Sequence, residues 1–392
     1  MLDTLQQQPP DALLALIKLY EADPRDDKID LGVGVYRTAD GGTPVFTAVK
    51  AAEKRLCAEQ ESKAYLGPEG DMGFVHALMP HVFGGSDPAM GGRIEGMQTP
   101  GGTGAVRLAV ALAKKAGVSR ILMGTPSWPN HAQIYGDVGV ELVAFDHSSP
   151  DGTANMGALR DALRSAQPGD AVLLHGCCHN PTGIDYSDEQ WDEIVDLLAE
   201  TGVLPIVDLA YHGLGKGMDE DAYGARLVAE KLPEALIAYS CDKNFGLYRD
   251  RVGALYALTP DKVQTDAVMS NGHALARANW SMPPDHGAAA VRMALADDAT
   301  TKQWLDELDS MRARIQQVRE KLASCGKAGT VDLAPLGQQN GMFAMLPLSK
   351  EQIQRLRDDH GIYMAGSGRI NVAGLTMGNI DKFVAALADV TA

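Results

Sequence analysis

No uninterrupted apolar run approaches the ~20 residues that a membrane-spanning helix needs. Positive charge is also short. Lys and Arg total 35 against 51 Asp and Glu, a formal charge of −16, which argues against nucleic acid and anionic membrane as partners. A local cluster of Arg and Lys can still hold a small anion. Cysteine is scarce: Cys57, Cys177, Cys178, Cys241 and Cys325 are irregularly spaced, and two of them are adjacent. That is no disulfide framework, and it suits a reducing compartment. Residues 1–10 are rich in Gln and Pro and lack the apolar core of a signal sequence, so a cytoplasmic setting is expected. Internal repeats, low-complexity tracts and a basic helix-turn-helix extension are all missing. So is a Gly-x-Gly-x-x-Gly turn after the first strand with an acidic residue ~20 positions on, the dinucleotide fingerprint.

What is present is apolar mass: 45% of 392 residues, enough for roughly two to three domains of ~150 residues. Short apolar runs at 119–123, 140–145, 171–176, 204–207 and 235–239 read as strands. Helical patterns at 48–61, from about 101 to 116 with Gly117 as the stop, and at 187–200 with a Ser187-x-x-Gln190 capping box lie between or before them. Strands without clean alternation, spaced by helices, predict a mostly parallel sheet covered on both faces. The expected fold class is α/β, with residues 44–305 as a large domain and 306–392 as a smaller α+β domain. In the latter region a helix is expected over 301–325, apolar at Trp304, Leu308, Met311, Ile315, Val318 and Leu322. Strands at 342–346 and 369–372 and helices from Ser349 and over 379–390 complete it. Residues 1–43 read as an arm and part of the small domain, with an amphipathic segment at 11–21 and a glycine-broken strand at 29–36.

The chemistry gathers at the ends of strands. The run 235–239 leads into Ser240-Cys241-Asp242-Lys243, which places Lys243 just past a strand's carboxyl end, where open α/β sheets bind ligands. Arg251, eight residues on, can bring a fixed positive charge back to the same place. A lysine that loses its proton is a nucleophile able to form a Schiff base with an aldehyde. Thr99-Pro100-Gly101-Gly102-Thr103-Gly104 opens a helix, and its free N–H groups and dipole favour phosphate. Each feature alone has a plainer reading, a solvated Lys and Arg or an ordinary glycine turn. His175, Cys177 and His179 fall on one face of an extended segment and invite a metal reading. The long rise between them fits a tetrahedral site poorly, and no metal is expected.

Taken together, Gly101-Gly102-Thr103-Gly104, Pro126-Ser127-Trp128-Pro129-Asn130-His131, His179-Asn180-Pro181-Thr182-Gly183, Asp208-Leu209-Ala210-Tyr211 and Lys243-Asn244-Phe245-Gly246-Leu247-Tyr248 resemble the class I aminotransferases. These are fold type I pyridoxal-phosphate enzymes, and the similarity is greatest to the aspartate and aromatic amino acid aminotransferases. It runs from about residue 10 to 387. The resemblance implies that Lys243 holds the cofactor as a Schiff base and moves the substrate α-proton. Asp208 would pair with the pyridine nitrogen. Tyr211 and Asn180 would bond the ring hydroxyl, and Trp128 would stack on the ring. Gly102, Thr103, Ser240 and Arg251 would hold the phosphate, with Tyr65 reaching in from a partner subunit. Arg369 would grip the substrate α-carboxylate as a bidentate fork, and Gly34 would pass close to the substrate. Arg277 from the partner would meet a distal carboxylate. These shared contributions imply an obligate homodimer.

Three positions depart from the family pattern. Asp242 stands where a hydroxyl residue is usual, and a carboxylate near phosphate is repulsive unless it turns away or is hydrogen-bonded. Met282 and Ala64 replace more polar residues and make the distal pocket more apolar. The expected reaction is a ping-pong transfer of the amino group of an aromatic amino acid or aspartate to 2-oxoglutarate, leaning to the aromatic end. A strict aspartate aminotransferase and a pyridoxal-phosphate β-lyase on the same fold are the enzymatic rivals, and a non-catalytic sensor is the third.

Overall fold

A computed structural model describes residues 1–7, 12–85 and 91–392 of the chain. Seven strands form one sheet: β1 (Ile94–Pro100), β2 (Arg120–Thr125), β3 (Glu141–Asp146), β4 (Ala171–His175), β5 (Leu204–Leu209), β6 (Ala235–Ser240) and β7 (Val252–Leu258). Their spatial order is β1-β7-β6-β5-β4-β2-β3. β7 runs antiparallel to both neighbours, and every other pairing is parallel. The fold class is α/β, with a mixed sheet flanked by helices. Every residue of β4, β6 and β7 is buried, which explains why β4 and β6 read as continuous apolar runs. β3, at the edge, keeps no fully buried residue.

The direction of the strands positions the chemistry. Six carboxyl ends open on one edge of the sheet, and β7 starts there because it runs the other way. Gly253 in β7 is registered with both Thr99 of β1 and Ser240 of β6, while His175 of β4 is registered with Asp208 of β5. From β1 the chain enters α1 (Gly101–Lys115), whose buried side is mostly small, with Gly101, Gly102, Gly104, Ala105 and Ala109. Small residues let its backbone lie close to the sheet. Lys114 and Lys115 in its last turn complement the negative end of the helix dipole. The capping box read at Ser187 and Gln190 is present and opens α2 (Asp188–Thr201).

The described chain divides into two compact units, Pro44–Ala313 and Met1–Thr43 with Arg314–Ala392. The chain leaves the first unit within the long helix Asp298–Ser324. In the second unit Ile29–Asp30 pairs in parallel with Ile362–Tyr363, and Phe343–Met345 pairs antiparallel with Arg369–Asn371. Leu31, Val318, Leu322, Leu356, Phe383 and Leu387 are among the residues of its core.

Several expected elements change length. The strand read at 29–36 is only Ile29–Asp30. Beyond it the carbonyls of Val33 and Val35 accept from Asn371 Nδ2 at 2.6 and 2.7 Å rather than from a ladder. The segment read at 11–21 is the helix Ala12–Ala22, Asp11 itself lying outside the described residues. β1 and β7 have no counterpart among the expected strands. Among the described residues no helix is long and apolar enough to cross a membrane.

Candidate active site

At the β1–β7–β6 corner three backbones meet without room for side chains. A Cβ on Gly253 would lie 2.6 Å from Gly101 C and equally close to Tyr239 O. One on Gly102 would lie 2.9 Å from Ser240 Cβ. Gly101 has φ +67 and would place a Cβ 2.6 Å from Arg251 Nη2. No side chain caps the start of α1, so its first N–H groups face outward, as helix N-termini do. Thr103 sits in that first turn. Arg251 adopts φ 55, which is uncommon for a residue with a Cβ. Its guanidinium forms an ion pair with the Asp242 carboxylate and donates to Tyr248 O at 3.1 Å. The Asp242 N–H donates to Ser240 Oγ at 3.2 Å. Gly102, Thr103, Ser240 and Arg251 thus border one small cationic cradle, with Asp242 set into its wall.

Lys243 comes next in the chain and is partly buried. Its Nζ lies 5.0 Å from the centroid of the Tyr211 ring. Burial pushes the amine below its usual range, and the Arg251 charge adds to this, against the pull of Asp242 and Asp208. Asn180 is buried and reaches the Tyr211 hydroxyl with Nδ2 at 3.4 Å. Its Oδ1 is buried without a hydrogen-bond partner. A buried carbonyl oxygen left this way costs roughly 1–3 kcal/mol, so the site is built to receive a donor there.

Beyond Lys243 stands a second carboxylate. Asp208, at 6% exposure, accepts from His131 Nε2 at 3.1 Å. Ser127 Oγ bridges His131 Nδ1 at 2.9 Å and His175 Nε2 at 3.0 Å. Ring contacts continue from His175 to His179, centroids 4.1 Å apart, and from His179 to His147, stacked at 3.6 Å. His179 bonds Thr182 Oγ1 at 2.8 Å, and His147 Nε2 donates to Ile184 O at 2.8 Å. Burial alone would raise the Asp208 carboxyl. The His131 hydrogen bond, with the pull of nearby Lys243, outweighs it and holds the group below the usual carboxylate range. Burial drives His175 down to about 3 and His147 to about 4, so both are uncharged at neutral pH. The Trp128 ring meets His131 edge-on at 5.1 Å.

This string of rings corrects the metal reading of 175–179. The strand ends at His175, and Cys178 takes φ 51, so the segment is not one extended run, and the His175 and His179 rings lie against each other. Cys177 instead lies with Cys178 and Asp221, their ligand atoms within 4.8 Å of one another. Asp221 there already accepts from the N–H groups of Gly213, Gly215 and Lys216 at 2.8–2.9 Å. His147 gave no functional signal in the sequence, and Ser127 only as part of the 126–131 motif. Their places come from hydrogen bonds and ring packing between segments far apart in the chain.

Tyr65 and Arg277 stand on the surface. Tyr65 is 95% exposed, and Arg277 donates to Ser281 Oγ at 2.9 Å, where Ser281 takes φ 66. A groove of about 560 Å³ is lined by Ala64, Tyr65, Met72, Met282 and Arg292 among others. It joins two of the positions that depart from the family pattern. Gly34 and Arg369 belong to the other compact unit. Arg369 donates from Nη2 to Gly32 O at 2.8 Å, and its guanidinium lies 4.6 Å from the Phe343 ring centroid. A Cβ on Gly34 would meet the same ring at 2.9 Å. The structure therefore brings Gly34 and Arg369 to one aromatic ring, and the cradle, Lys243, Asn180, Tyr211 and Asp208 to one sheet edge.

Comparison with known proteins gives a consistent picture. The family model described as aminotransferase class I and II matches residues 26–387. The chain is 50% identical over 376 residues to a tyrosine aminotransferase of Rhizobium meliloti, covering 96% of each chain. It is 42% identical over 395 residues to an aspartate aminotransferase of Escherichia coli, covering 100% of both. An aromatic-amino-acid aminotransferase from Burkholderia pseudomallei, solved covalently bound to pyridoxal phosphate, superposes with a TM-score of 0.96 at 33% identity over 100% of both chains.

Proposed function

The chain belongs to the aminotransferase class I and II family and is an aminotransferase; from that premise we propose that it uses pyridoxal 5′-phosphate to move the amino group of aromatic amino acids, and of aspartate, to 2-oxoglutarate. The observation that carries this reading is the Lys243 amine, held below its usual pKa between the Asp208 carboxylate and the Arg251 cradle. The donor set fits the cofactor. An outward helix N-terminus and Arg251 suit a phosphate. The partnerless Asn180 Oδ1 and the Tyr211 hydroxyl suit a ring hydroxyl, and Asp208 suits a protonated ring nitrogen. Bound there, the cofactor supplies an electrophilic aldehyde and an electron-accepting ring.

The chain's own residues do the rest. Lys243 Nζ, its pKa lowered by burial, would hold the cofactor's aldehyde carbon and would carry the proton from the substrate α-carbon. Asp208 stays ionised and keeps a proton on the ring nitrogen, braced by His131 and Ser127. Asn180 and Tyr211 orient the ring, and Trp128 covers it. Gly102, Thr103, Ser240 and Arg251 anchor the phosphate. Arg369 binds the α-carboxylate beside Gly34. Tyr65 and Arg277 act across a homodimer, consistent with the exposure of both in a single chain. The transfer is ping-pong: the donor leaves as its oxo acid before 2-oxoglutarate enters and leaves as glutamate.

Met282 and Ala64 line one groove and make it less polar, which favours aromatic donors, while Arg277 retains dicarboxylates. A panel of tyrosine, phenylalanine and aspartate with 2-oxoglutarate tests this. Comparable kcat/KM for tyrosine and aspartate is expected. A negligible tyrosine rate rejects the aromatic assignment, and ammonia release without an oxo acid rejects transfer in favour of β-elimination.

A further inference from the structure

Asp242 does not behave as a spectator. Its side chain keeps 5% of its exposure, while that of Arg251, its ion-pair partner, keeps 39%. Water therefore reaches the guanidinium far better than it reaches the carboxylate. Asp242 Oδ1 is buried without a hydrogen-bond partner. The other oxygen, Oδ2, lies against the Gly101 α-carbon, where a Cβ would come within 3.1 Å of it. That places the carboxylate in the first turn of α1, among the groups that suit a phosphate. Two anions and one guanidinium cannot all be satisfied there. Like charges this close in a partly buried site repel strongly.

We infer that Asp242 competes with a phosphate monoester for Arg251, so that capture of the phosphate requires Asp242 to take up a proton from solvent and phosphate anchoring weakens as pH rises. The inference rests on the reading that the cradle of Gly102, Thr103, Ser240 and Arg251 holds the cofactor phosphate. The balance is simple: phosphate dianion, Asp242 carboxylate and one proton give bound phosphate beside a neutral carboxylic acid, with no covalent bond made or broken.

The groups that face Asp242 support this. From its own loop come Lys243 and the Cys241 thiol, the latter pushed up by burial and so uncharged. From the segment before β7 come Arg251 and the Val252 N–H. The first turn of α1 brings no ionisable side chain, only Gly101, Gly102 and Thr103. Burial already raises the Asp242 carboxyl against the pull of Lys243 and Arg251, and a phosphate on Arg251 would remove one of these two restraints.

The test uses the full chain, freed of cofactor and titrated with pyridoxamine 5′-phosphate, whose amine cannot form a Schiff base with Lys243. Dissociation constants are measured by fluorescence from pH 7 to 9, where the free phosphate is dianionic (second pKa about 6). Wild type is compared with Asp242→Asn and Asp242→Ser. Ring and Lys243 protonation are common to all three proteins and cancel in the ratio. The ratio of wild-type to variant Kd is expected to climb with pH, by up to about tenfold per unit, and to reach at least about tenfold at pH 9. Calorimetry in two buffers of different ionisation enthalpy reads the proton directly. Wild type should take up as much as one more proton per site than Asp242→Asn. A pH-independent ratio with equal proton uptake overturns the competition, and so does weaker binding in both variants, which would make Asp242 a brace for Arg251. If the wild type binds but Arg251→Ala leaves its affinity unchanged, the cradle assignment itself is wrong.

Discussion

Two buried carboxylates flank Lys243, and their surroundings differ in one respect. Asp208 accepts from His131, which leans through Ser127 on His175. Asp242 has Arg251 on one oxygen and nothing on the other. Both are at most 6% exposed. Yet the Asp208 carboxyl is held below the usual range and the Asp242 carboxyl above it. Burial by itself does not set the charge of an acid. What decides is whether the hydrogen bonds and charges around the ionised form outweigh the lost water. Near Asp208 several groups combine to do so. Near Asp242 the pull of Lys243 and Arg251 still falls short of the cost of burial.

The contrast can be broken at several points. The largest effect is expected from Lys243→Ala, which removes the group both ends serve: a loss of about 10⁴-fold or more in kcat, read with any competent donor and 2-oxoglutarate. Turnover near the wild-type level in that variant would remove Lys243 from the chemistry. Asp208→Asn keeps the shape and removes the charge, and should cost about 10²–10⁴-fold in kcat, with a far smaller change in KM. His131→Phe deprives Asp208 of its direct partner. Loss of a hydrogen bond to a charged group is worth about 1.5–3 kcal/mol, so a fall of roughly 10–100-fold in kcat is expected, with the acid limb of the pH–rate profile moved upward as Asp208 becomes easier to protonate. An unmoved profile would make His131 packing alone.

The smallest effect concerns stability. His147 is held at about 4, below the ~6.5 of an unfolded histidine. Between those values the unfolded chain binds the extra proton, so stability falls as pH drops through 6.5 toward 4, by about 1.4 kcal/mol per unit for one such group. In His147→Gln, the loss of stability between pH 6.5 and 5 should shrink by about that slope, measured as the difference in urea midpoints. An unchanged difference would mean that the ring is charged in the folded protein or that another group governs the limb.

Much of this was legible in the sequence because parallel strands declare themselves. The run 171–175 and the run 235–240 are wholly apolar up to a final His or Ser, and the residues just past a buried strand end occupy a site by position. Lys243, Asp208 and Asn180 could be named that way. β1 could not. Glu95 and Gln98 interrupt it, and Gln98 is fully buried only because Asp71 N donates to its Oε1 at 2.8 Å and Pro284 O accepts from its Nε2 at 2.6 Å. Partners 27 and 186 residues away leave no trace in a local pattern. β7 was within reach as the apolar run 252–258, directly after Arg251. The bracing of Asp208 was out of reach, since Ser127 and His175 are separated by 48 residues. Asp242 was visible as an oddity; its competition for Arg251 needed coordinates.

Gly253 has a consequence of a different kind. It is registered with Thr99 on one side and Ser240 on the other, and a single added methyl group would press on both flanks at 2.6 Å. The two flanks are the glycine turn at Gly101 and the Tyr239 carbonyl just before Ser240. Alanine at this position would therefore act as a wedge between two backbones at that corner, while the hydrophobic interior far from it stayed whole. At this corner the gain of one carbon atom is itself the lesion.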